Sequence, residues 1–449
     1  MGTAKELNKR STPFQAIVSY YFVAIAISFI LLRLPGVHQD GVHVSLLDSL
    51  FTAVSTVSVT GLSVINISET YTTFGIVMLS LIMQLGAIGI MSLGTFTWLL
   101  FGKKIGLRER QLIMVDHNQY NLSGVVHLIK EILIILLGIE LIGATILTLY
   151  FTQYFDTFKE ALYNGLFAAI SATTNSGFDI TGSSLEPFHH DYFVQLINMI
   201  MMVLGTIGFP VLIEVKRFLS NRDSHFKFSL FTKITTSTYA ILFVVGSLGI
   251  LILESFHSFK GMSWHEALFT AMFHSLSARS SGFVTVDITD FNEATDIFLS
   301  VLMFIGASPN SVGGGIRTTT FAVAILFLIN FARNKTEIQI FHREIHMIDV
   351  YRSYVVIILS SFIVVVATMI LSLSETNATL MQIIFEITSA FGTVGMSLGL
   401  TEHLSAFGKV VMMVLMFIGR VGIISFLYSI GGKSKKTNYH YPKERVIIG

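Results

Sequence analysis

Phe385-Glu386-Ile387-Thr388-Ser389-Ala390-Phe391-Gly392-Thr393-Val394-Gly395 carries a pattern that recurs along the chain: Phe-x-x-x-Ser, then Gly five or six residues later. The other copies are Phe51…Ser55…Gly61, Phe167…Ser171…Gly177 and Phe273…Ser277…Gly282, the last one residue shorter between Ser and Gly. Each copy lies between two long apolar runs. Eight such runs occur, near 14–34, 73–101, 125–151, 192–215, 235–254, 296–331, 353–373 and 408–430, and a membrane helix needs about 20 apolar residues. One copy is packing noise; four in equivalent positions are an internal repeat. The unit is helix, short helix, glycine turn, helix. A short helix of about three turns cannot cross about 30 Å of hydrocarbon, so it enters and leaves on one side. Two full crossings per unit then give all four units the same orientation around an axis along the membrane normal.

The expectation is therefore an all-α membrane protein with eight transmembrane helices and four re-entrant helices, pseudo-fourfold around one central pore. It forms one domain over 1–449, with repeats near 14–101, 125–218, 233–331 and 350–430 and a polar cytoplasmic segment, 431–449. Composition agrees. Of 449 residues, 52% are hydrophobic and 13% charged, against about 25% charged in soluble domains. A net charge of +1 gives no encouragement to nucleic-acid binding. Without cysteine there are no disulfides or thiolate metal sites, and no transition-metal site is expected. The first apolar run, from Phe14, reads as a span and not as a cleaved leader.

Most of the 29 basic residues fall on one side. They cluster at Lys5–Arg10, Lys103–Lys130, Lys216–Lys233, Arg333–Arg352 and Lys433–Arg445. The positive-inside rule makes that side, and both termini, cytoplasmic. The short helices then dip in from outside, where the loops carry Asp179, Asp191, Asp287, Asp290 and Glu402. These acids read as a solvated face that mildly attracts cations.

Aligned on glycine, the turns are Val59-Thr60-Gly61, Asn175-Ser176-Gly177, Ser280-Ser281-Gly282 and Thr393-Val394-Gly395. Irregular backbone at membrane depth persists only inside protein or along a wet cavity. Four such turns around an axis offer a ring of carbonyl oxygens, which can replace the hydration shell of a monovalent cation. Glycine reaches φ > 0 without steric cost, and the C-terminal ends of the short helices favour a cation. No Asp or Glu ring occupies the turns, which argues against divalent selectivity. The residues alone give "monovalent cation".

Thr393-Val394-Gly395 matches the tripeptide of tetrameric potassium-channel filters, although Met396 follows it. With three aligned partners, the chain resembles the Trk/Ktr/HKT superfamily of cation transporters over essentially 14–430. Short ends and eight spans make it most similar to the Ktr-type bacterial membrane subunit. The resemblance implies potassium uptake through a gated, channel-like pore, with potassium held at the turns. Gly61 implies potassium because serine there goes with sodium transport in that family. It also implies sodium dependence, a homodimer, and a cytosolic RCK-type (KtrA-like) nucleotide-binding regulatory ring supplied by another chain. No cofactor is implied within this chain.

The sixth span is interrupted by Gly306-Ala-Ser308-Pro309-Asn310-Ser311-Val-Gly313-Gly314-Gly315-Ile-Arg317. Proline and the glycines break a helix there. A phosphate loop is disfavoured, since Gly-x-x-x-x-Gly-Lys-[Ser/Thr] is absent. By resemblance this is an intramembrane gate. Arg420 lies about 16 Å into the last span, counting from Lys409; it either contacts that loop from the cavity or is satisfied by carbonyls at a helix crossing. Arg279, inside the third turn, is expected behind the filter, towards Glu386, which alone reads equally as a structural contact. His274 reads as packing, Glu140 has no evident partner, and Asp48 reads as a helix-end charge. The basic stretches 103–130, 216–233 and 332–352 read as interfacial amphipathic helices or as a docking face.

Three functions compete. A carrier of organic solutes should show paired broken helices in corresponding halves; on sequence only the sixth span is broken, which favours the pore. An intramembrane enzyme needs a nucleophile–base pair or a metal cluster in the spans, and the histidines fall mostly in loops. The chain is not expected to be an enzyme.

Overall fold

The structure, a computed structural model, describes residues 13–89, 124–220, 226–335 and 337–430, with the isolated positions 110, 114 and 444. The expected segment 431–449, the basic residues Lys5–Arg10, most of 103–123, and the second half of the second span lie outside the described residues.

Among the described residues, four helices are long and apolar enough to cross a membrane: α1 (Pro13–Leu32), α4 (Val125–Phe151), α8 (Leu230–Glu254) and α12 (Met347–Ser374). Their outer faces leave Phe22, Leu141, Ile241, Ile358 and Leu373 exposed, which suits lipid as solvent. A short helix follows each one: α2 (Leu46–Ser58), α5 (Phe158–Thr174), α9 (Trp264–Ser277) and α13 (Leu380–Gly392). One local rule starts all four. The N-cap residues are Ser45, Thr157, Ser263 and Thr379, and three residues on stand Asp48, Glu160, Glu266 and Gln382. In the last two, both hydrogen bonds of a capping box are made. A capped helix with an acid in its first turn starts at a defined residue.

The second helices of the first, second and fourth units depart from the sequence expectation, whereas the third carries the interruption expected of the sixth span. The fourth span is not one rod: α6 (Tyr192–Thr206) and α7 (Phe209–Ser220) meet at 103°, turning at Gly208, whose φ is +101°. The last span is divided at Gly422, φ +86°, into α14 (Ala406–Val421) and α15 (Ile423–Ile430). In the first unit α3 (Thr73–Ile88) stops at Gly89, φ +85°. Among the described residues, only the third unit has a long interruption, between α10 (Glu293–Phe304) and α11 (Thr318–Ala332). Glycine is the residue for which such φ values carry no steric cost, and Pro210 in the first turn of α7 fixes the new helix start.

The second correction concerns 332–352. The amphipathic helix expected there is a hairpin of β1 (Gln339–Ile340) and β2 (Arg343–Glu344). Its turn residues Phe341 and His342 both have positive φ. Ile338 and Ile345 flank the hairpin, pair through their backbones at 3.0 Å, and are buried against Ile234, Val323 and Val350. That alternation has the strand period of two.

The apolar core is divided into four principal clusters at the seams between units. Met201 and Phe273 pack at the seam of the second and third, Ile82 and Phe167 at that of the first and second. Phe51 and Met412 join the first to the fourth, and Leu302 and Phe385 the third to the fourth. The units therefore follow one another in a closed circuit, leaving the glycine turns where the four meet.

Candidate functional site

The glycine turns interlock in cyclic order. A Cβ built on Gly61 would stand 2.1 Å from the carbonyl oxygen of Ser176, and one on Gly177 2.3 Å from that of Ser281. One on Gly282 would stand 2.3 Å from that of Val394, and one on Gly395 2.2 Å from that of Thr60. Each glycine thus abuts the middle carbonyl of the next turn, and the fourth returns to the first. All four glycines have positive φ, between +69° and +100°. Both features exclude a side chain.

The repeated Phe and Ser anchor these turns. Phe51, Phe167, Phe273 and Phe385 are all buried in the seam clusters. The carbonyls of Ser55, Ser171 and Ser389 accept the N–H groups of Thr60, Ser176 and Val394 at 2.8, 3.0 and 2.9 Å. The side chains of Ser171 and Ser277 donate to the carbonyls of Phe178 and Phe283, both at 2.6 Å, and so hold the returning chain. Val59, Asn175 and Thr393 adopt the left-handed conformation, which a β-branched residue takes only under constraint. The third turn, one residue shorter, has no such residue; Ser281 and Gly282 both donate to Ser277 instead.

The first residues of the turns supply further oxygens. Asn175 Oδ1, Ser280 Oγ and Thr393 Oγ1 are buried and have no hydrogen-bond partner. Buried polar atoms are nearly always satisfied. These three oxygens stand beside the carbonyls of the turns.

The loop 305–317 lies against this ring. A Cβ on Gly313 would stand 2.1 Å from Ser280 Oγ, and one on Gly314 2.5 Å from Thr393 Oγ1. On its other sides the loop is tied to the kinked fourth span: Ser308 N–H donates to Thr206 O at 3.1 Å, Val312 N–H to Gly205 O at 3.2 Å, and Phe209 N–H to Asn310 O at 2.9 Å. A Cβ on Gly208 would stand 2.8 Å from Pro309 O. Gly315 N–H reaches Gly419 O at 3.3 Å, and Ser311 Oγ folds back on Ser308 O at 2.6 Å. Arg317 donates to Gly313 O. Arg420 donates to Val312 O in the loop and to Gly86 O at the end of α3. A cavity of about 150 Å³ beside the loop is lined by Asn310, Ser311, Gly315 and both arginines.

Arg279 does not pair with Glu386. Its guanidinium stacks on Tyr239 at 4.1 Å and donates to Gly306 O at 3.2 Å and Tyr239 O at 3.4 Å. Glu386 instead faces the chain that leaves the fourth turn, accepting from Ser397 Oγ, Leu398 N–H and Thr401 Oγ1. His274 is packed, with Nδ1 at 2.9 Å from Thr270 O and its ring edge-on to Phe291. Glu140 faces Gln84. Asp48 meets Lys409 at 2.7 Å, joining the first short helix to the last span. Of the outer acids, Asp179 accepts three backbone N–H groups within its loop, and Asp191 and Asp287 cap helix starts.

A second fourfold signal went unread in the sequence. Met83-x-x-Gly86, Met202-x-x-Gly205, Met303-x-x-Gly306 and Met416-x-x-Gly419 occupy equivalent places in the second helices. All four methionines are buried. Cβ atoms on Gly86, Gly205 and Gly419 would stand 2.5, 2.2 and 2.0 Å from the carbonyls of Val57, Thr173 and Phe391, each two residues before the left-handed residue of its turn. These glycines let the second helix press on the carbonyl end of the short helix.

Comparison with known proteins accords with this geometry. The family model described as TrkH, cation transport protein, matches residues 2–433. The chain belongs to that family. It is 53% identical to Ktr system potassium uptake protein D of Bacillus subtilis (strain 168), over 98% of this chain and 97% of the relative. It is 36% identical to Ktr system potassium uptake protein B of the same organism, again over 98% and 97%. Among solved structures, the potassium transporter TrkH from Vibrio parahaemolyticus superposes with a TM-score of 0.72 at 17% identity, covering 92% of this chain and 83% of the other. The likeness at that identity concerns the fold. It is a helical, multi-pass membrane fold.

Proposed function

We propose that this chain is the membrane subunit of a Ktr-type potassium uptake system, passing potassium through one pore on the axis of its four units. The closed circuit of glycine–carbonyl contacts carries the reading, since it leaves four turns facing a common axis with no room for side chains between them. Carbonyl oxygens of Val59, Thr60, Asn175, Ser176, Ser280, Ser281, Thr393 and Val394, with the orphan side-chain oxygens, replace the hydration shell of the ion. The C-terminal ends of the short helices lower the energy of the cation at this depth.

The loop from Gly306 to Arg317 is the gate beneath that filter. It lies against the third and fourth turns, and backbone hydrogen bonds join it to the fourth and last spans. Arg420 holds it and places positive charge on the exit path. Both termini are cytoplasmic, two copies associate, and a cytosolic nucleotide-binding ring acts on the inner face. Potassium uptake is sodium-dependent. The word system in the relatives' names supports a second component, and the basic segments support the placement of the termini.

The breaks at Gly208 and Gly422 remove the argument that a lone broken span sets the pore apart from a carrier. Family membership and the glycine circuit support the pore reading instead. The test is potassium-limited growth of an uptake-deficient host expressing this chain with a regulatory partner. Wild type should rescue growth, and Gly61→Ser should lose the preference for potassium over sodium. Failure of rescue overturns the assignment; a retained preference in the variant overturns the role of Gly61.

A further inference from the structure

We infer that His189, His190 and Glu266 form a binding site for a divalent transition cation of the zinc class, at the junction of the second and third units. Nothing in the sequence points there, because Glu266 follows His189 by 77 residues. Folding brings the loop before α6 against the first turn of α9. His189 Nε2 lies 3.0 Å, and His190 Nδ1 3.6 Å, from the same oxygen, Glu266 Oε1. The three donor atoms all lie within 4.8 Å of one another.

The two distances to Oε1 bracket that of a coordination shell, and the third pair, within 4.8 Å, closes when His190 turns inward. Zinc bonds of 2.0–2.2 Å in tetrahedral geometry set neighbouring ligand atoms about 3.3 Å apart. A hydrogen-bonded His–Glu pair accounts for His189 and Glu266. It does not account for a second imidazole directed at the same oxygen. The other carboxylate oxygen, Oε2, is held by the Ser263 N–H in the capping box, so Oε1 is presented in a fixed direction. The His189 backbone is fixed as well, its carbonyl accepting from buried Gln195 at 2.6 Å. His190 is exposed and can swing the short distance required, leaving a fourth position for water. Two imidazoles and one carboxylate select zinc, nickel, cobalt or copper over calcium and magnesium. Nearby His265 turns to Ser263 Oγ at 3.3 Å and is no ligand.

A bound ion clamps the second unit to the short helix of the third. The test uses the full-length chain without a histidine tag, stripped by chelator and dialysed against ZnCl2 or CoCl2. Wild type should bind one ion per chain, show the visible absorption of tetrahedral cobalt, and melt at a higher temperature with zinc. Glu266→Gln keeps the capping box and removes the carboxylate. It and His190→Ala should weaken binding at least tenfold and abolish the zinc-dependent shift, while His265→Ala should change neither. Absence of binding by wild type, unaltered binding in both site variants, or equal competition by CaCl2 overturns the proposal. None of these readouts depends on transport.

Discussion

Arg279 donates to the carbonyl oxygen of Gly306, 3.2 Å away, tying the third glycine turn to the loop that interrupts the sixth span. The tie extends further. Arg279 stacks on Tyr239, Tyr239 Oη meets Thr206 Oγ1 at 2.7 Å, and the Thr206 carbonyl accepts from Ser308. Turn, loop and kinked fourth span thus share one polar circuit. Arg279→Lys keeps the charge but cannot fork to two carbonyls while stacking. It should cost about 1–3 kcal/mol in thermal denaturation through the acceptor left unsatisfied. Potassium flux should fall in maximal rate with its preference over sodium kept; a changed preference at normal rate would contradict the circuit.

Arg420 holds the loop through Val312 O and α3 through Gly86 O. For an ion passing within about 10 Å, one guanidinium adds about 0.4–1.7 kcal/mol to its energy at an effective dielectric of 80 to 20. Arg420→Gln should therefore raise potassium flux in proteoliposomes by about twofold to twentyfold, and lower the melting temperature because two carbonyls lose their donor. Unchanged kinetics would remove Arg420 from the exit path.

Glycines of the long helices should differ sharply in tolerance. A Cβ on Gly419 meets the Phe391 carbonyl at 2.0 Å, whereas one on Gly138, in α4, meets nothing within 4 Å. Gly419→Ala should destabilise by about 1–3 kcal/mol, since backbone must move. Gly138→Ala should stabilise by about 0.5–1 kcal/mol. Denaturation in one detergent measures both, and equal effects would refute the contact.

Glu186 lies in the loop between the second turn and α6. Partial burial and the nearby carboxylates of Asp287 and Asp179 push its carboxyl above the usual range. A carboxyl raised in the folded state favours folding fully below its unfolded pKa, and that contribution is lost as pH rises through the folded value. Glu186→Gln should accordingly raise the melting temperature slightly at pH 7 and not at pH 4. The side chain is exposed, so the gain should shrink in high salt. A gain that persists at pH 4 would exclude this cause.

Local pattern carried much of the fold. The four Phe-x-x-x-Ser…Gly copies and the long apolar runs are short-range features, and so are the four Ser/Thr N-caps that start the short helices. The Met-x-x-Gly copies were equally legible and went unread, because they sit inside apolar runs that read as uninterrupted spans. The kink at Gly208 was hidden likewise: hydropathy measures burial of side chains and is blind to a backbone turn. The hairpin at 339–344 was missed because mixed basic and apolar residues suit an interfacial helix until the pairing of Ile338 with Ile345 is known.

By itself the sequence determined that a motif recurs four times, where each short helix begins, and which glycine follows each short helix, since caps and φ > 0 are decided within a few residues. Only the tertiary structure decided which carbonyl each glycine meets, that Arg279 turns to Gly306 and not to Glu386, and that His189, His190 and Glu266 share an oxygen. These are contacts between units far apart in sequence. A long side chain has many acceptors within reach, and the packing at the seams selects among them.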